Sequence, residues 1–415
     1  MIQEQRSDTY ARVETLKTNL LPSQQIGIYI HIPFCKKRCE YCDFNTYAGK
    51  EDLIPAYVNS LITEIGSVAK SFLVPLDVNT IYFGGGTPSL LEPTQFERIF
   101  KTLNIHFNII PNAEISLEAN PGTIEFGYLE EIKNAGFNRL SLGAQSTNEK
   151  ELQLLGRIHT KDDIFKSFYA ARSAGFININ IDLIYGLPDQ TLKMWKSSLN
   201  EIIKLKPEHL SLYGLTIEKR TNFGIKTRRG LLDIPDNDIS ADMYIWSEEQ
   251  LGVAGFNHYE ISNWAINGYE CRHNLGTWRN QMYLGFGAGA HGFANNLRVS
   301  NGLLIKNYIN RIENNNMREK DHKRSEYPVS PATVSRLKVT RQISMQETMM
   351  LGLRLVKEGV SARLFAKRYG ESIMAVFGKE ITDLLGLNLL EWQGDQLILT
   401  QRGRLLGNQV FIRFI

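Results

Sequence analysis

The chain has 415 residues, of which 43% are hydrophobic and 22% are charged, a composition typical of a soluble globular protein and not of a disordered one. Its formal net charge of +3 is too small to indicate a nucleic-acid or membrane partner. At this length we expect one large domain of roughly 200 to 250 residues and a smaller second one.

Targeting signals and cysteine usage indicate the cellular compartment of the protein. The first twenty residues lack the apolar core of a secretory signal, and no later segment has the length and apolarity of a transmembrane helix. Three of the four cysteines fall within eight positions, a crowding that favours metal binding in a reducing compartment over disulfide pairing. We therefore predict a cytoplasmic protein.

The first half of the chain alternates between two apolar patterns. Six short β-like runs are predicted to be strands, at Ile26–Ile32, Thr80–Phe83, Glu114–Glu118, Arg139–Gly143, Ile177–Ile184 and His209–Tyr213. Segments with helical spacing lie between them, at Leu53–Val68, Gln95–Leu103, Ile124–Ala135, Asp162–Ala174 and Trp195–Ile203. Since crossovers between parallel strands are right-handed, such units build a helix-covered sheet that curls. The sequence predicts an α/β fold, a partial (β/α)6 barrel.

The second half changes character after about residue 300. We assign residues 1–24 to an N-terminal extension, 25–300 to the barrel and its extension, and the polar segment 301–342 to a linker or surface excursion. Residues 343–415 are predicted to form a small, mostly helical, winged-helix-like domain, with helices at Gln346–Val356, Ala362–Arg368 and Ile373–Leu385 and strands around Gln396–Leu399 and Val410–Phe414. This domain has no basic stripe, so we predict no nucleic-acid binding.

A cysteine motif directly follows the first predicted strand. Cys35, Cys39 and Cys42 have C-x3-C-x2-C spacing, and in a β/α barrel the loop after a strand lies at the active-site end. Three thiolates can hold a 4Fe-4S cluster and leave one iron open, whereas a structural zinc ion would need a fourth ligand. A zinc knuckle completed by His31 and three unrelated buried thiols are the alternatives that the residues leave open.

The motif and its surroundings resemble a known family. The run from Tyr29 to Cys42, with Tyr41 between the last two cysteines, is similar to the signature of the HemN/HemW group of radical S-adenosylmethionine (SAM) proteins. The resemblance extends from about residue 26 to the C-terminal LTQRGRLLGNQVF, which is similar to the HemN-like accessory domain of the group. It implies a 4Fe-4S cluster on three cysteines, SAM chelating the open iron, formation of a 5'-deoxyadenosyl radical on reduction, and an electron donor such as flavodoxin or ferredoxin.

Polar residues and glycines follow the next predicted strands. The GGGTP turn follows the second strand, and Glu118, Gln145 and Asp182 lie at or near the ends of the next three. A buried carboxylate needs a structural partner or a ligand. A glycine-rich turn either approaches a ligand closely or is simply a tight turn without one. Because such residues end four consecutive strands, the pattern favours a polar ligand pocket at this edge of the sheet.

The resemblance assigns roles to these positions. It implies that Tyr29 and Tyr41 belong to the cofactor site, and that Glu118 binds a ribose hydroxyl of SAM. It further implies that the SAM amino group is held at Gly85, Gly86 and Thr87, and that a second SAM site of the oxidase in this group corresponds to Gln145, Arg157 and Asp182.

Two features bear on which member of the group the chain resembles more. CRHNLGTW is similar to the His-Asn-x-x-Tyr-Trp element of the haem chaperones, which makes His273 a candidate haem ligand, although Thr277 replaces the tyrosine. The oxidase has a fourth cysteine where this chain has Phe44. The resemblance thus implies a haem chaperone that binds haem and transfers it to an acceptor protein. The alternative is an oxygen-independent coproporphyrinogen III oxidase. A homodimer is compatible with the sequence.

Overall fold

A computed structural model of the chain describes residues 25–234, 236–316 and 327–415. The predicted extension at residues 1–24 lies outside this range. None of the described helices is long and apolar enough to cross a membrane.

The large domain is built on one twelve-stranded sheet with the order β14-β13-β12-β11-β1-β4-β5-β6-β7-β8-β10-β9. A separate two-stranded pair, β2 and β3, holds the segment after β1. The strands of this domain are β1 (Ile26–Ile32), β2 (Phe34–Cys35), β3 (Tyr47–Ala48), β4 (Asp77–Gly85), β5 (Asn108–Ala119), β6 (Arg139–Gln145), β7 (Ile179–Tyr185), β8 (His209–Gly214), β9 (Asn257–Glu260), β10 (Asn263–Ala265), β11 (Tyr283–Phe286), β12 (His291–Ala294), β13 (Leu297–Asn301) and β14 (Thr333–Lys338).

The central seven strands, from β11 through β8, pair in parallel, and the strands beyond them on both sides pair antiparallel. Most helices of this domain cover the outer face of the sheet, whereas one, α9, packs against Thr80 and the cavity-lining Tyr82. The helices are α1 (Ile54–Ala69), α2 (Pro93–His106), α3 (Phe126–Ala135), α4 (Glu149–Leu154), α5 (Lys161–Ser173), α6 (Leu192–Lys204), α7 (Asn222–Arg228), α8 (Asn237–Val253), α9 (Arg272–Trp278) and α10 (Ile305–Asn316). All six predicted strands are present, and the partial barrel is confirmed.

The alternation of side chains along each strand separates the core from the barrel interior. On β6, Leu140 and Leu142 point outward into the apolar layer beneath the helices, whereas Arg139 and Ser141 point inward. Since successive side chains of a strand face opposite sides, this pattern gives the barrel an apolar outer layer and a polar interior. The polar residues at the carboxyl ends of the parallel strands therefore lie around one opening of the barrel.

The prediction of a linker or surface excursion at residues 301–342 is wrong for two segments. Helix α10 buries Ile305, Tyr308 and Ile312, and strand β14 pairs antiparallel with β13. The sequence did not reveal strand β14, because β14 is an edge strand whose side chains are mostly exposed and its sequence therefore lacks a clear apolar pattern. The position of the domain boundary itself stays a prediction.

The C-terminal domain has its own apolar core. It contains α11 (Arg341–Gly352), β15 (Val360–Ser361), α12 (Ala362–Tyr369), α13 (Ile373–Gly386), β16 (Leu390–Gln393), β17 (Gln396–Leu399), α14 (Gln401–Leu405) and α15 (Gly407–Phe411). The predicted strand at Val410–Phe414 is wrong, because these residues form the end of α15 and a 3-10 turn. Val410, Phe411 and Phe414 instead reach the core from one side of that helical segment.

Candidate functional site

The three motif cysteines line one cavity at the carboxyl ends of the parallel strands. The cavity has a volume of about 380 Å³, and Cys35, Cys39 and Cys42 are all free thiols on its wall. Cys35 ends β2 and is buried, and its sulfur accepts a hydrogen bond from the Thr87 hydroxyl at 3.6 Å. Burial raises the pKa of the Cys35 thiol to about 11, and the Thr87 hydrogen bond opposes that rise. A bound cation would favour the thiolate at this position.

These thiols fit a multi-iron cluster better than a single zinc ion. Within the described ranges, no three His, Cys, Asp or Glu side chains are grouped to hold one ion. The zinc alternative needs His31, but both of its ring nitrogens are engaged, with the Tyr29 hydroxyl at 2.9 Å and the Asn45 carbonyl at 2.9 Å. In a 4Fe-4S cluster each thiolate binds a different iron, so the thiols need to surround a space.

The glycine turn after β4 packs against the cysteine segment. Gly85 has φ of +116°, and a Cβ there would lie 2.5 Å from the His31 ring. At Gly86 a Cβ would lie 2.5 Å from the Phe34 carbonyl oxygen and 3.0 Å from the Cys35 sulfur. The two glycines are therefore required by close approach of this turn to the cluster loop.

A hydrogen-bonded chain joins two of the cysteines across the cavity. The Arg157 guanidinium donates to the Cys39 sulfur at 3.4 Å and to the Asn120 side-chain oxygen at 2.5 Å. Asn120 in turn donates to the Thr87 hydroxyl at 2.9 Å, and Thr87 donates to Cys35. Charge-assisted donation stabilises a thiolate, so this chain prepares both sulfurs for binding metal.

Glu118 is held at the end of β5 by two donors. The Tyr82 hydroxyl donates to Oε1 at 2.8 Å, and the Gly85 backbone N–H donates to Oε2 at 3.1 Å. Burial raises the pKa of the Glu118 carboxyl to about 7, and the hydrogen bond from Tyr82 opposes the rise. A carboxyl with this pKa changes charge near neutral pH, and its remaining lone pairs face the cavity.

Asp182 and Gln145 complete the wall on the neighbouring strands. Asp182 accepts hydrogen bonds from Ser141 Oγ at 3.1 Å and Asn180 Nδ2 at 2.8 Å, and burial raises the pKa of its carboxyl. Gln145 has φ of +70°, a left-handed conformation that is uncommon outside glycine. This backbone turn ends β6 and places the Gln145 side chain on the cavity wall.

Eleven of the thirteen predicted site residues line this one cavity: Cys35, Cys39, Tyr41, Cys42, Gly85, Gly86, Thr87, Glu118, Gln145, Arg157 and Asp182. Tyr29 is not on its wall, and its ring packs on Tyr82 at 6.3 Å between centroids. His273 is also apart from it, buried near the amino-terminal ends of the strands with Nδ1 at 2.9 Å from the Thr80 hydroxyl. Burial lowers the pKa of His273 to about 4, which keeps the ring neutral.

The sequence analysis missed several residues of the wall. Asn120 follows Glu118 by two positions, and its place just beyond a strand end was a usable signal. Arg139 and Tyr82 gave no such signal, because they lie inside predicted strands whose inward faces could not be assigned to a cavity from sequence. Phe44 lies at the mouth of the cavity with 68% of its surface exposed.

Comparisons with protein families agree with this site. The family model described as Radical SAM superfamily matches residues 29–202, which include the cysteine motif and the strand ends. The model described as HemN C-terminal domain matches residues 339–406, which fall within the smaller domain.

Individual proteins and one solved structure are also similar to this chain. The chain is 38% identical over 391 residues to the heme chaperone HemW of Bacillus subtilis, covering 93% of this chain and 98% of that protein. The corresponding protein of Mycobacterium tuberculosis is 34% identical, covering 94% of this chain and 95% of that protein. Coproporphyrinogen III oxidase (HemN) from Escherichia coli, a radical SAM enzyme, has a similar fold, with a TM-score of 0.80, 24% identity and coverage of 95% of this chain and 91% of that one.

Proposed function

The chain belongs to the HemN/HemW group of the radical SAM superfamily, and from this premise we propose that it is a cytoplasmic haem chaperone that delivers haem to an acceptor protein. The observation that carries the proposal is the match to proteins named heme chaperone HemW along 93% and 94% of the chain. Phe44 supports it, since the oxidase of this group has a cysteine at that position.

The cofactor site of this chaperone is the barrel cavity. Cys35, Cys39 and Cys42 hold a 4Fe-4S cluster, and their convergence on one cavity supports this assignment. The glycine turn, with Gly85 and Gly86, and Thr87 would hold SAM beside it. When bound, the cluster and SAM supply one-electron chemistry, for which a flavodoxin or ferredoxin is a suitable electron donor.

The chain's own residues bind and orient these groups. Glu118 accepts a hydrogen bond from a ribose hydroxyl, and the donors from Tyr82 and Gly85 fix its carboxyl in place. Arg157 provides positive charge beside Cys39. The apolar layer outside the strands excludes water from the helix side of the sheet, so the cavity opens at the strand ends.

His273 stays a predicted haem ligand. Its neutral imidazole is the form that binds iron, but the ring is enclosed by Thr80 and stacks on Tyr82 at 5.2 Å between centroids. Ligation would require α9 to leave the position that it has here.

An oxygen-independent coproporphyrinogen III oxidase is the second candidate. The favouring observation is that Gln145, Arg157 and Asp182, which correspond to a second SAM site in the oxidase, line the same cavity as the cysteines. Under this alternative two propionate side chains of the porphyrinogen would be oxidatively decarboxylated to vinyl groups, each releasing CO2 and a proton and passing two electrons to SAM and an external electron acceptor.

One anaerobic experiment separates the two functions. Reconstituted protein is incubated with coproporphyrinogen III, SAM and a reductant, and the product is measured as fluorescent protoporphyrin after oxidation. The same preparation is titrated with haem. We expect stoichiometric haem binding and no catalytic product, whereas multiple turnovers to protoporphyrinogen would establish the oxidase in place of the chaperone.

A further inference from the structure

The loop that carries the three cysteines has a basic outer face. Between its first two cysteines lie three exposed cationic side chains, Lys36, Lys37 and Arg38. Lys37 and Arg38 reach the mouth of the cofactor cavity, and Lys36 and Lys37 line a small cleft next to it. The proposed binding of the cluster and SAM does not use these three charges, so their role is open.

A second basic segment is attached to this loop. Residues 218–229, which include α7, meet the loop at Glu40, whose carbonyl accepts from Phe223 N at 2.9 Å and whose carboxylate pairs with Lys226 Nζ at 2.8 Å. Phe223 also belongs to a buried apolar cluster against which Tyr41 packs. The position of the segment beside the cysteines is therefore fixed by a backbone hydrogen bond, an ion pair and apolar packing.

Together the two segments concentrate positive charge around the cysteines. Residues 36–43 and 218–229 contain eight basic and three acidic side chains, a local net charge of +5 in a chain whose total is only +3. Within the described residues, one of the eight basic side chains forms an ion pair with a carboxylate. These eight exposed residues, called the basic surface below, are Lys36, Lys37, Arg38, Lys219, Arg220, Lys226, Arg228 and Arg229.

The basic surface adjoins the short route for an electron to the cluster. The rate of electron transfer falls steeply with distance, so a protein donor has to dock close to the cluster. Cys35 is buried, whereas Cys39 and Cys42 are partly exposed on the loop itself. Under the proposed function SAM occupies the cavity side of the cluster. The outer face of the loop is therefore the side from which a donor approaches.

Hydrogen bonds within and behind the loop hold its shape. The Arg38 guanidinium donates to the Cys42 carbonyl at 3.1 Å, and the Glu40 backbone N–H donates to the Leu155 carbonyl at 3.0 Å. A surface held in this way loses little conformational freedom when a partner binds, which lowers the cost of docking.

From this arrangement we propose that the basic surface is the docking site of an acidic one-electron carrier protein, of the flavodoxin or ferredoxin kind, that reduces the cluster. In this step the carrier is oxidised by one electron, which the cluster receives, and no bond forms or breaks. Complementary charge steers such a partner and raises its association rate by roughly tenfold to a thousandfold at low salt. The inference rests on the proposed function, because it takes the cluster from it.

The first experiment measures docking without any reaction. Binding of oxidised flavodoxin, and in a parallel titration of oxidised ferredoxin, to the reconstituted full-length protein is measured by microscale thermophoresis. Because salt screens exposed charges, the affinity of wild type should fall between about 50 and 500 mM salt. Lys36→Glu with Lys37→Glu, and separately Arg228→Glu with Arg229→Glu, should weaken binding on the order of tenfold at low salt.

The matched control carries the same change of charge far from the cysteines in sequence and in the other domain. Arg363→Glu with Lys367→Glu replaces two exposed cations on α12 and should bind the carriers as wild type does. Circular dichroism and iron content show whether each variant folds and keeps its cluster. If the loop variant loses iron, the variant at Arg228 and Arg229 still tests the proposal, because these residues lie outside the cysteine loop.

The second experiment measures electron transfer to the cluster. Loss of cluster absorbance is followed with reduced flavodoxin and, separately, with photoreduced deazaflavin, a small uncharged reductant that needs no docking surface. Both basic-surface variants should be reduced on the order of tenfold more slowly than wild type by flavodoxin and at the wild-type rate by deazaflavin. The α12 control should match wild type with both reductants.

Every other outcome overturns the proposal in a distinguishable way. If neither carrier binds, or if binding ignores both salt and charge reversal, the docking site is refuted while the cluster and the haem chaperone stand. If the Lys36 and Lys37 variant loses haem affinity but keeps carrier binding, these lysines bind haem propionates instead. If the variants lose binding of single-stranded RNA and not of the carriers, the surface is a nucleic-acid site. A wild type without iron after reconstitution refutes the cofactor assignment as well.

Discussion

Glu64 on α1 is predicted to be a main determinant of stability for the segments around residues 287–302 and 330. The carboxylate is fully buried and accepts four hydrogen bonds, from Gly287 N at 2.8 Å, Tyr308 Oη at 2.7 Å, Asn301 Nδ2 at 2.7 Å and Ser330 Oγ at 2.6 Å. We consider the substitution Glu64→Ala, which removes the shared acceptor.

The loss in the free energy of unfolding depends on which of these four donors has a second hydrogen-bond acceptor. Asn301 Nδ2 keeps the Gly287 carbonyl at 2.9 Å, and Ser330 keeps contacts with neighbouring hydroxyl and amide oxygens. Gly287 N–H and the Tyr308 hydroxyl have no second acceptor within the described residues. At about 1–3 kcal/mol for each buried donor left unsatisfied, the free energy of unfolding should fall by about 2–6 kcal/mol.

The same substitution should also weaken the contacts that hold the loop with the three cysteines. Tyr57 donates to the His31 carbonyl at 2.7 Å and accepts from Ala288 N at 2.9 Å, next to the Glu64 contact. Asn45, which holds the His31 ring through its carbonyl, donates its side chain to the Ala288 carbonyl at 3.0 Å. Loosening residues 287–288 therefore removes support from both sides of the cysteine motif.

Urea denaturation followed by circular dichroism measures the first effect, and iron content after anaerobic reconstitution measures the second. Glu130→Ala, an exposed glutamate on α3, is the control and should change stability by no more than about 0.5 kcal/mol. A loss below about 1 kcal/mol in Glu64→Ala would refute the reasoning, because two orphaned buried donors cannot cost so little.

Three further predictions concern the site itself. Replacing Cys35, Cys39 or Cys42 by Ala should abolish the broad visible absorbance of the reconstituted cluster, and full retention of iron and sulfide in all three variants would contradict the cluster assignment. SAM affinity should rise between about pH 6 and 8 as Glu118, whose pKa burial raises to about 7, ionises and becomes the stronger acceptor, and Glu118→Gln should flatten this dependence in equilibrium dialysis. His273→Ala should lower the thermal midpoint because a buried hydrogen bond is lost, and it should weaken haem binding and shift the Soret band if His273 is the iron ligand; an unchanged haem titration would exclude that role.

The polar residues at the strand ends could be predicted from the sequence because two independent patterns coincide there. Alternating apolar runs locate the strands, and a polar residue such as Glu118 or Asp182 in or just after a run marks the inward face near the opening. The cysteine spacing then identifies which end carries the chemistry. This pattern singled out Glu118, Gln145 and Asp182, whereas Tyr41 and Arg157 were predicted only from the resemblance to the HemN/HemW group, and all five line the same cavity.

Residues whose role depends on long-range packing could not be found this way. Arg139 has the sequence context of an ordinary strand start, and only the pairing of β6 with β5 and β7 shows that it faces the cavity. His273 fits a haem-related motif in sequence, yet the start of α9 at Glu114 places it in a buried position. Likewise, α10 is recognisable as part of the large domain only from its contact with α1.

Phe44 tests whether the difference between chaperone and oxidase lies at the cluster. Three thiols already line the cavity, and Phe44 stands at its mouth, 68% exposed, so a cysteine there would meet solvent as readily as the cluster. We therefore expect Phe44→Cys to keep the cluster absorbance and haem affinity of wild type and to gain no turnover of coproporphyrinogen III in the anaerobic assay; Phe44→Ser controls for loss of the ring. Catalytic turnover in the Cys variant alone would contradict this expectation, since it would mean that one thiol at the rim, and not the surroundings of the porphyrin, separates the two activities.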